Sequence, residues 1–431
     1  MPSTRVGRLL SYSGLVAGIG LGALAEGFKR AVGASEGTSS VFVSEDNAER
    51  LVRTLSRMRG AALKLGQMIS IQDNKSISPE IREILERVRL SADYMPQKQR
   101  EKVMRAELGP DWRQSFRAFD DKPFSAASIG QVHRATTLAG DDVVVKVQYP
   151  GVAESISSDL GYLRSLLTAS SFLPKGLFLD NTIKIAAIEL GWECDYTREA
   201  LYIDKFRGFL EGDRHFGVPF FVPELTSRRV ITLEMMKGVS IDRVATMSQE
   251  VRDFVAEQIL RLCLREMMDF RTMQTDPNWS NFLFDPAANR INLIDFGATR
   301  EFSKEFMDKY VRLLQTAQTG DREACARWST EIGFLTGEET KPMIEAHISA
   351  CMILGEPFRT AGTVNFANQD MSGRVQELIP IMLRHRLKPP PDETYSLHRK
   401  LSGAFLLCTK LGARIDCKRV FDETFSQYHF V

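Results

Sequence analysis

The feature that most constrains this chain is an aspartate five residues before an asparagine, followed by Asp-Phe-Gly beyond a short apolar hairpin pattern. The stretch reads Asp276-Pro-Asn-Trp-Ser-Asn281 and resumes as Leu293-Ile294-Asp295-Phe296-Gly297. Residues 282–284 and 291–294 read as paired strands around the turn signal at 286–290. Asp276 and Asn281 therefore fall on a loop before the hairpin, and Asp295 falls just after its second strand. Two carboxylates and an amide in such a setting form an oxygen-only donor set, which suits a hard cation such as magnesium.

This spacing matches two loops of protein kinases. In those enzymes a loop aspartate positions the nucleophile, while the asparagine and the D-F-G aspartate hold magnesium against phosphate oxygens. A D-F-G alone would read as an ordinary turn, so the combination carries the argument. Upstream, Val143-Val144-Val145-Lys146 matches the strand lysine that meets the α and β phosphates, although by itself Lys146 would read as a solvated lysine at a strand end. Before it, Ser125-Ala126-Ala127-Ser128-Ile129-Gly130-Gln131-Val132 occupies the place of G-x-G-x-x-G-x-V. Only Gly130 of the three glycines is kept. Alanine gives up easy access to positive φ, so the loop of Ala126, Ala127 and Ser128 is expected to be stiffer and to hold a nucleotide differently. Farther on, a strand entering Glu234-Met235-Met236-Lys237 reads as an adenine-binding hinge, with backbone groups at Glu234 and Met236 pairing with the base edge. The expected cofactors are ATP and Mg2+, with Asp276 and Lys146 as catalytic residues and Asn281 and Asp295 as metal ligands. The expected fold is α+β, bilobal and kinase-like.

A carboxylate from a helix should set the lysine. Residues 181–209 read as one helix, on which Trp192-Glu193-Cys194-Asp195-Tyr196-Thr197-Arg198-Glu199 offers three acids, with Asp195 and Glu199 on a shared face. Spacing does not choose among them. The chain also departs from ordinary kinases. Gln274-Thr275 replaces His-Arg before the loop aspartate, and Ala298-Thr-Arg300 runs almost directly into a helix beginning near Ser303, which leaves no obvious peptide platform.

The remaining sequence sets the boundaries. Residues 9–25 are apolar or small, lie between basic flanks and carry Gly14, Gly18 and Gly22 on one face. Residues 1–30 thus read as a single membrane helix with its flanks, and the glycine face would suit a homodimer. Residues 31–43 read as a linker, 44–111 as a helical N-terminal extension, 112–236 as a kinase-like N-lobe and 237–431 as a helical C-lobe. The formal net charge of +1 gives no field for nucleic acid. Six scattered cysteines lack zinc spacing and point to a reducing compartment. His133, near the phosphate loop, reads as a packed strand residue rather than a base.

Lys64-Leu-Gly66-Gln67, the alanine-rich loop, Glu193-x-Asp195, Gln274-Thr-Asp276-Pro-Asn-Trp-Ser-Asn281 and Tyr395-Ser-Leu-His-Arg-Lys-Leu-Ser402 together resemble the UbiB (aarF-domain) family of atypical kinases, in its mitochondrial coenzyme Q branch. The resemblance spans nearly the whole chain. It implies that Lys64, Gly66 and Gln67 are regulatory, on a helical extension folded over the nucleotide site, with Lys64 facing Glu193 and Asp195. It also implies that Glu199 is the acid paired with Lys146. The implied activity is that of a kinase or ATPase supporting coenzyme Q biosynthesis at the mitochondrial inner membrane, facing the matrix, with any transit peptide outside this sequence. Implied partners are membrane lipids, coenzyme Q biosynthetic proteins and lipid-like quinone precursors. A nucleotide-switched pseudokinase scaffold and a protein kinase acting in trans are the alternatives.

Overall fold

The computed structural model describes residues 94–127, 129–169, 178–276 and 278–431. The expected membrane helix, the linker, Lys64, Gly66, Gln67 and Ser128 lie outside them. Among the described residues, no helix is long and apolar enough to cross a membrane. The chain divides into two units. One joins the described residues up to 169 with Thr182–Thr197 and Phe221–Met235; the other takes 178–181, Arg198–Phe220 and Met236–Val431.

The first unit begins with helix α1 (Gln97–Leu108), opened by Pro96 and stopped at Gly109, whose φ of 92° a side chain would strain. Strands β1 (Phe116–Phe119), β2 (Ser125–Ala126), β3 (Gly130–Thr137) and β4 (Asp142–Gln148) follow, then helices α2 (Val152–Ala169) and α3 (Leu179–Glu193). Helix α4 (Tyr196–Phe209) crosses into the second unit, which also holds the short strand β5 (Phe216–Gly217); β6 (Val230–Glu234) returns to the first. The strands form an antiparallel sheet in the order β1-β3-β4-β6, with β2 paired to β3. Alternation along β4 explains its place. Val143, Val145 and Val147 are fully buried on one face, each contributing about 2 kcal/mol by removal from water. Lys146 and Gln148 occupy the opposite face.

One glycine is required by close packing. A Cβ on Gly130 would stand 2.6 Å from the Val147 carbonyl oxygen and 3.0 Å from the Tyr196 hydroxyl. His133 is a packed strand residue, as expected. It is buried, stacks on Phe119 at 5.1 Å, and places Nδ1 2.8 Å from the Asp120 carbonyl and Nε2 2.8 Å from Gln131 Nε2. The amide donates to Nε2, so Nδ1 carries the proton. Burial pushes the imidazole down to about 4.

In the second unit, β7 (Val239–Ser240), β9 (Phe282–Asp285) and β10 (Arg290–Leu293) join β5 in the order β5-β10-β9-β7. Between them in sequence lie α5 (Ile241–Val244), α6 (Gln249–Met268) and β8 (Thr272–Gln274), which pairs with β11 (Thr299–Glu301). Helices α7 (Lys304–Thr319), α8 (Arg322–Ile332) and α9 (Lys341–Gly355) follow. Strand β12 (Val364–Asn365), helices α10 (Met371–His385) and α11 (Asp392–Leu411), strand β13 (Arg414–Ile415) and helix α12 (Cys417–Phe425) complete the unit. The expected break at 388–391 separates α10 from α11.

Candidate active site

The hairpin β9–β10 sets the geometry of the second unit's acids. Phe282 pairs with Leu293, and Phe282, Phe284, Ile291 and Leu293 turn inward, which fixes the register by burial. Asn281 and Ile294 consequently meet at one end, where the Ile294 N–H donates to the Asn281 carbonyl at 3.1 Å. The Asn281 amide donates to Asp276 Oδ2 at 3.2 Å, which points its own oxygen the other way. Asp276 also accepts from the Asn278 N–H at 3.3 Å, and Asn278 caps the following turn by accepting from Ser280 N–H at 3.1 Å. Asp295 lies one residue past Ile294 and accepts from the Gly297 N–H at 3.1 Å. Asp276, Asn281 and Asp295 are all half-buried.

The Asp-Phe-Gly segment is pinned by the start of α4. Phe296 is buried and packs on Phe206 at 5.0 Å, and its N–H donates to Glu199 Oε1 at 3.4 Å. Arg198 donates to the Gly297 carbonyl at 3.1 Å and also to the Thr299 carbonyl. Glu199, buried, thus reaches the backbone beside Asp295.

A sequence expectation is corrected here. Residues 181–209 are not one helix. Helix α3 ends at Glu193 and α4 starts at Tyr196, so Asp195 sits in the joint and accepts from the Thr197 N–H at 3.1 Å. Asp195 and Glu199 therefore share no i,i+4 face. An acid able to bond the free N–H groups of a new helix favours a break at this position.

The first unit holds Lys146, Ala126, Ala127, Gly130, Glu193, Asp195, Glu234 and Met235; the second holds Met236, Lys237, Glu199, Asp276, Asn281 and Asp295. Lys146 is buried on β4, opposite Val132 on one side and Ile231 on the other. The alanine-rich turn closes through Ala127 N–H to the Gly130 carbonyl at 2.8 Å, and neither Ala126 nor Ala127 takes a positive φ. In the expected hinge, the Met235 N–H donates to the Asp142 carbonyl at 3.0 Å and extends the β4–β6 pairing. The Lys237 carbonyl accepts from Asn292 at 2.7 Å.

Three supporting residues had no role in the motif reading, although Arg399 and Lys400 fall inside the 395–402 segment that carries part of the family resemblance. Lys400 donates to the Gln274 carbonyl at 2.8 Å, Arg399 donates to the Thr275 carbonyl at 3.2 Å, and Glu266 accepts from the Gln274 N–H at 3.2 Å. All three are buried and grip the two residues before Asp276. Burial pushes the Glu266 carboxyl up, and the ammonium of Lys400 opposes it. Two consecutive cations set between Leu397 and Leu401, just before the apolar run 404–408, were the available signal.

The donor chemistry fits magnesium. Among the described residues, no group of three or more His, Cys, Asp or Glu is arranged to hold a metal ion by itself. An oxygen pair such as Asn281 and Asp295 suits an ion that keeps water and shares phosphate oxygens rather than one caged by protein.

An antiparallel sheet with a buried lysine on one strand, joined in the same chain to a helical unit that ends a hairpin in Asn and Asp-Phe-Gly, defines the protein-kinase-like class, with an α+β fold. Residues 87–329 match the model of the ABC1 atypical kinase-like domain. The chain belongs to that family, and its activity is of the kinase/ATPase type. It is 49% identical over 433 residues to "Atypical kinase COQ8B, mitochondrial" of Danio rerio, covering 99% of this chain and 69% of the relative. It is similarly 49% identical to "Atypical kinase COQ8, mitochondrial" of Saccharomyces cerevisiae, covering 99% and 86%. A solved structure, the complex of Rv3197 with erythromycin from Mycobacterium tuberculosis, shares the fold with a TM-score of 0.60 at 23% identity, covering 88% of this chain and 96% of that one.

Proposed function

We propose that this chain turns over ATP with Mg2+ in support of coenzyme Q biosynthesis, at the matrix face of the mitochondrial inner membrane. Relatives that carry the COQ8 name and the word mitochondrial support the pathway and the compartment. The observation that carries the chemistry is the Asp276–Asn281 hydrogen bond of 3.2 Å, held one residue from Asp295 by the β9–β10 register. Asp276 orients the attacking oxygen, and Lys146 offsets phosphate charge. Asn281 and Asp295 would hold magnesium, whose role is to neutralise charge on the transferred phosphoryl group. Glu193 and Asp195, with Lys64, Gly66 and Gln67, act as regulatory residues, and Glu199 holds the Asp-Phe-Gly backbone through the Phe296 N–H.

The phosphoryl acceptor is water or a small molecule. Only residues 298–303 separate Gly297 from α7, and they are bound into the unit: Thr275 Oγ1 donates to the Ala298 carbonyl at 2.6 Å, and Arg300 donates to the Asp392 carbonyl at 2.9 Å. That leaves little exposed backbone to dock a peptide. Membrane lipids, lipid-like quinone precursors and coenzyme Q biosynthetic proteins are the partners, and the glycine-patterned N-terminal segment serves a homodimer.

Phosphate release by the purified chain on liposomes, compared with Asp295→Asn, tests the reading. The expected outcome is slow release that the substitution abolishes and that a phenolic headgroup analogue raises. Equal nucleotide binding by both proteins, with no release above the variant's background, would favour a scaffold instead.

A further inference from the structure

Strand β3 turns two polar side chains away from the face that holds Lys146. Gln131 and His133 stand two residues apart and so share a face, and directly across from them on β4 are Val147 and Val145. That is the face on which β4 buries its valines, whereas Val132, opposite Lys146, lies on the other. Gln131 is 1% exposed and His133 is fully buried, so an amide and an imidazole sit in an apolar core. Such groups are costly to bury unless each finds a partner.

Their partners form a chain with one direction. The Met95 N–H, just before α1, donates to Gln131 Oε1 at 2.7 Å, which orients the amide and leaves its Nε2 for His133 Nε2 at 2.8 Å. His133 Nδ1 then donates to the Asp120 carbonyl at 2.8 Å, in the stretch between β1 and β2. Both ends of the alanine-rich loop hang on this chain. At the exit, Gln131 follows Gly130 and pairs with Ala126 of β2. At the entry, the Asp120 N–H donates to the Arg134 carbonyl at 2.9 Å, and the Phe124 N–H donates to the Val132 carbonyl at 3.0 Å. Helix α1 is itself fastened to this unit, by Arg100 donating to the Asp121 carbonyl at 2.6 Å and by Arg229 donating to Glu107 at 2.8 Å. Met95 is therefore a fixed point from which the loop can be held.

We propose that Gln131 is a positioning residue for nucleotide binding: tied to Met95 on one side and to His133 on the other, it fixes the alanine-rich loop from behind the sheet. It touches no nucleotide, since its face is the one that carries the buried valines. Its effect on nucleotide affinity rests on the nucleotide reading given above, and its hold on the loop does not. The backbone of residues 125–130 is thereby placed before any phosphate arrives, so that less ordering is left to be done on binding.

The test compares the intact wild-type chain with Gln131→Met, which keeps the side chain's length but can neither donate from an amide nor accept at a carbonyl. Backbone hydrogen exchange is read first, with no nucleotide present. Amides 124–130 should exchange about 10-fold faster in the variant, while those of 143–147 in β4 keep their wild-type rates. Titration with MgATP should then show the dissociation constant raised about 10-fold, with kcat changed by less than about 3-fold. His133→Phe keeps a ring against Phe119 and cuts the chain at its next link, so it should give the same pattern, and it decides the matter if Gln131→Met fails to fold. The double variant should bind MgATP no worse than either single one, because both break one chain. Unchanged exchange at 124–130 would overturn the proposal, as would exchange raised equally in β4, the mark of a merely structural role. Unchanged affinity in variants whose wild type binds MgATP would overturn it as well. A wild type that binds no nucleotide would instead sink the proposed function, and exchange would still read the tie between Gln131 and the loop.

Discussion

The ammonium of Lys400 lies 2.8 Å from Oε2 of Glu266, with side-chain exposures of 4% and 1%. The pair sits directly beneath the backbone of Gln274 and Thr275, whose carbonyls accept from Lys400 and Arg399. Where ordinary kinases have His-Arg before the loop aspartate, this chain anchors the loop from α11 and α6.

Lys400→Met should therefore destabilise the protein by about 3–5 kcal/mol, because it strands a buried carboxylate. Adding Glu266→Gln should restore part of that loss. Urea midpoints of the two proteins check this; equal midpoints for wild type and Lys400→Met would refute the anchoring role.

Asp276→Ala should lower the turnover number about 100-fold, within the usual range for a group that positions or deprotonates a nucleophile. Nucleotide affinity should change little, since the side chain hydrogen-bonds Asn281 and Asn278 N–H rather than a hinge group. Single-turnover kinetics beside calorimetric titration separates the two effects.

Gly130→Ala and Ala127→Gly should act in different ways. The new methyl on residue 130 would meet the Val147 carbonyl at 2.6 Å, so about 1–3 kcal/mol of stability should be lost. Ala127→Gly meets no such contact; it should cost less than about 1 kcal/mol while altering nucleotide affinity and unmasking autophosphorylation. Melting curves, nucleotide titration and labelled phosphate on the chain itself distinguish the pair.

The buried histidines predict an acid-sensitive fold. His133 titrates near 4 and His347 near 3 in the native state, below the ordinary 6.5, so the unfolded chain binds more protons in this range. Their contribution is complete above about pH 6.5 and falls by roughly 1.4 kcal/mol per histidine per pH unit as acid is added, until the native value is passed. Denaturant midpoints at pH 7 and pH 5 should differ accordingly, with the lower stability at pH 5.

Particular residues show what the sequence could tell. The 282–293 hairpin was legible because alternating Phe and Ile face one core, and a turn signal lies between the strands. Ser303 was legible as a helix start, and its hydroxyl does accept from the Phe306 N–H at 3.2 Å. The joint at Asp195 was not, because the one nearby glycine, Gly191, falls inside α3 and no glycine or proline stands between Glu193 and Tyr196. The anchoring role of Arg399 and Lys400, read only as part of a family segment, stayed hidden for a related reason. Charged residues on a helix read as solvent-facing until the carbonyls they serve, more than a hundred residues away in sequence, are in view.

The six residues between Gly297 and α7 are already knitted to β8, to Arg198 and to Asp392. A kinase is commonly switched on when a loose loop at this position acquires phosphate and is captured by arginines. Here that lever is missing: one arginine already holds backbone carbonyls, and no slack chain waits to be caught. Control over such a molecule has to arrive by another road, through what approaches the nucleotide or what reaches the outer helices.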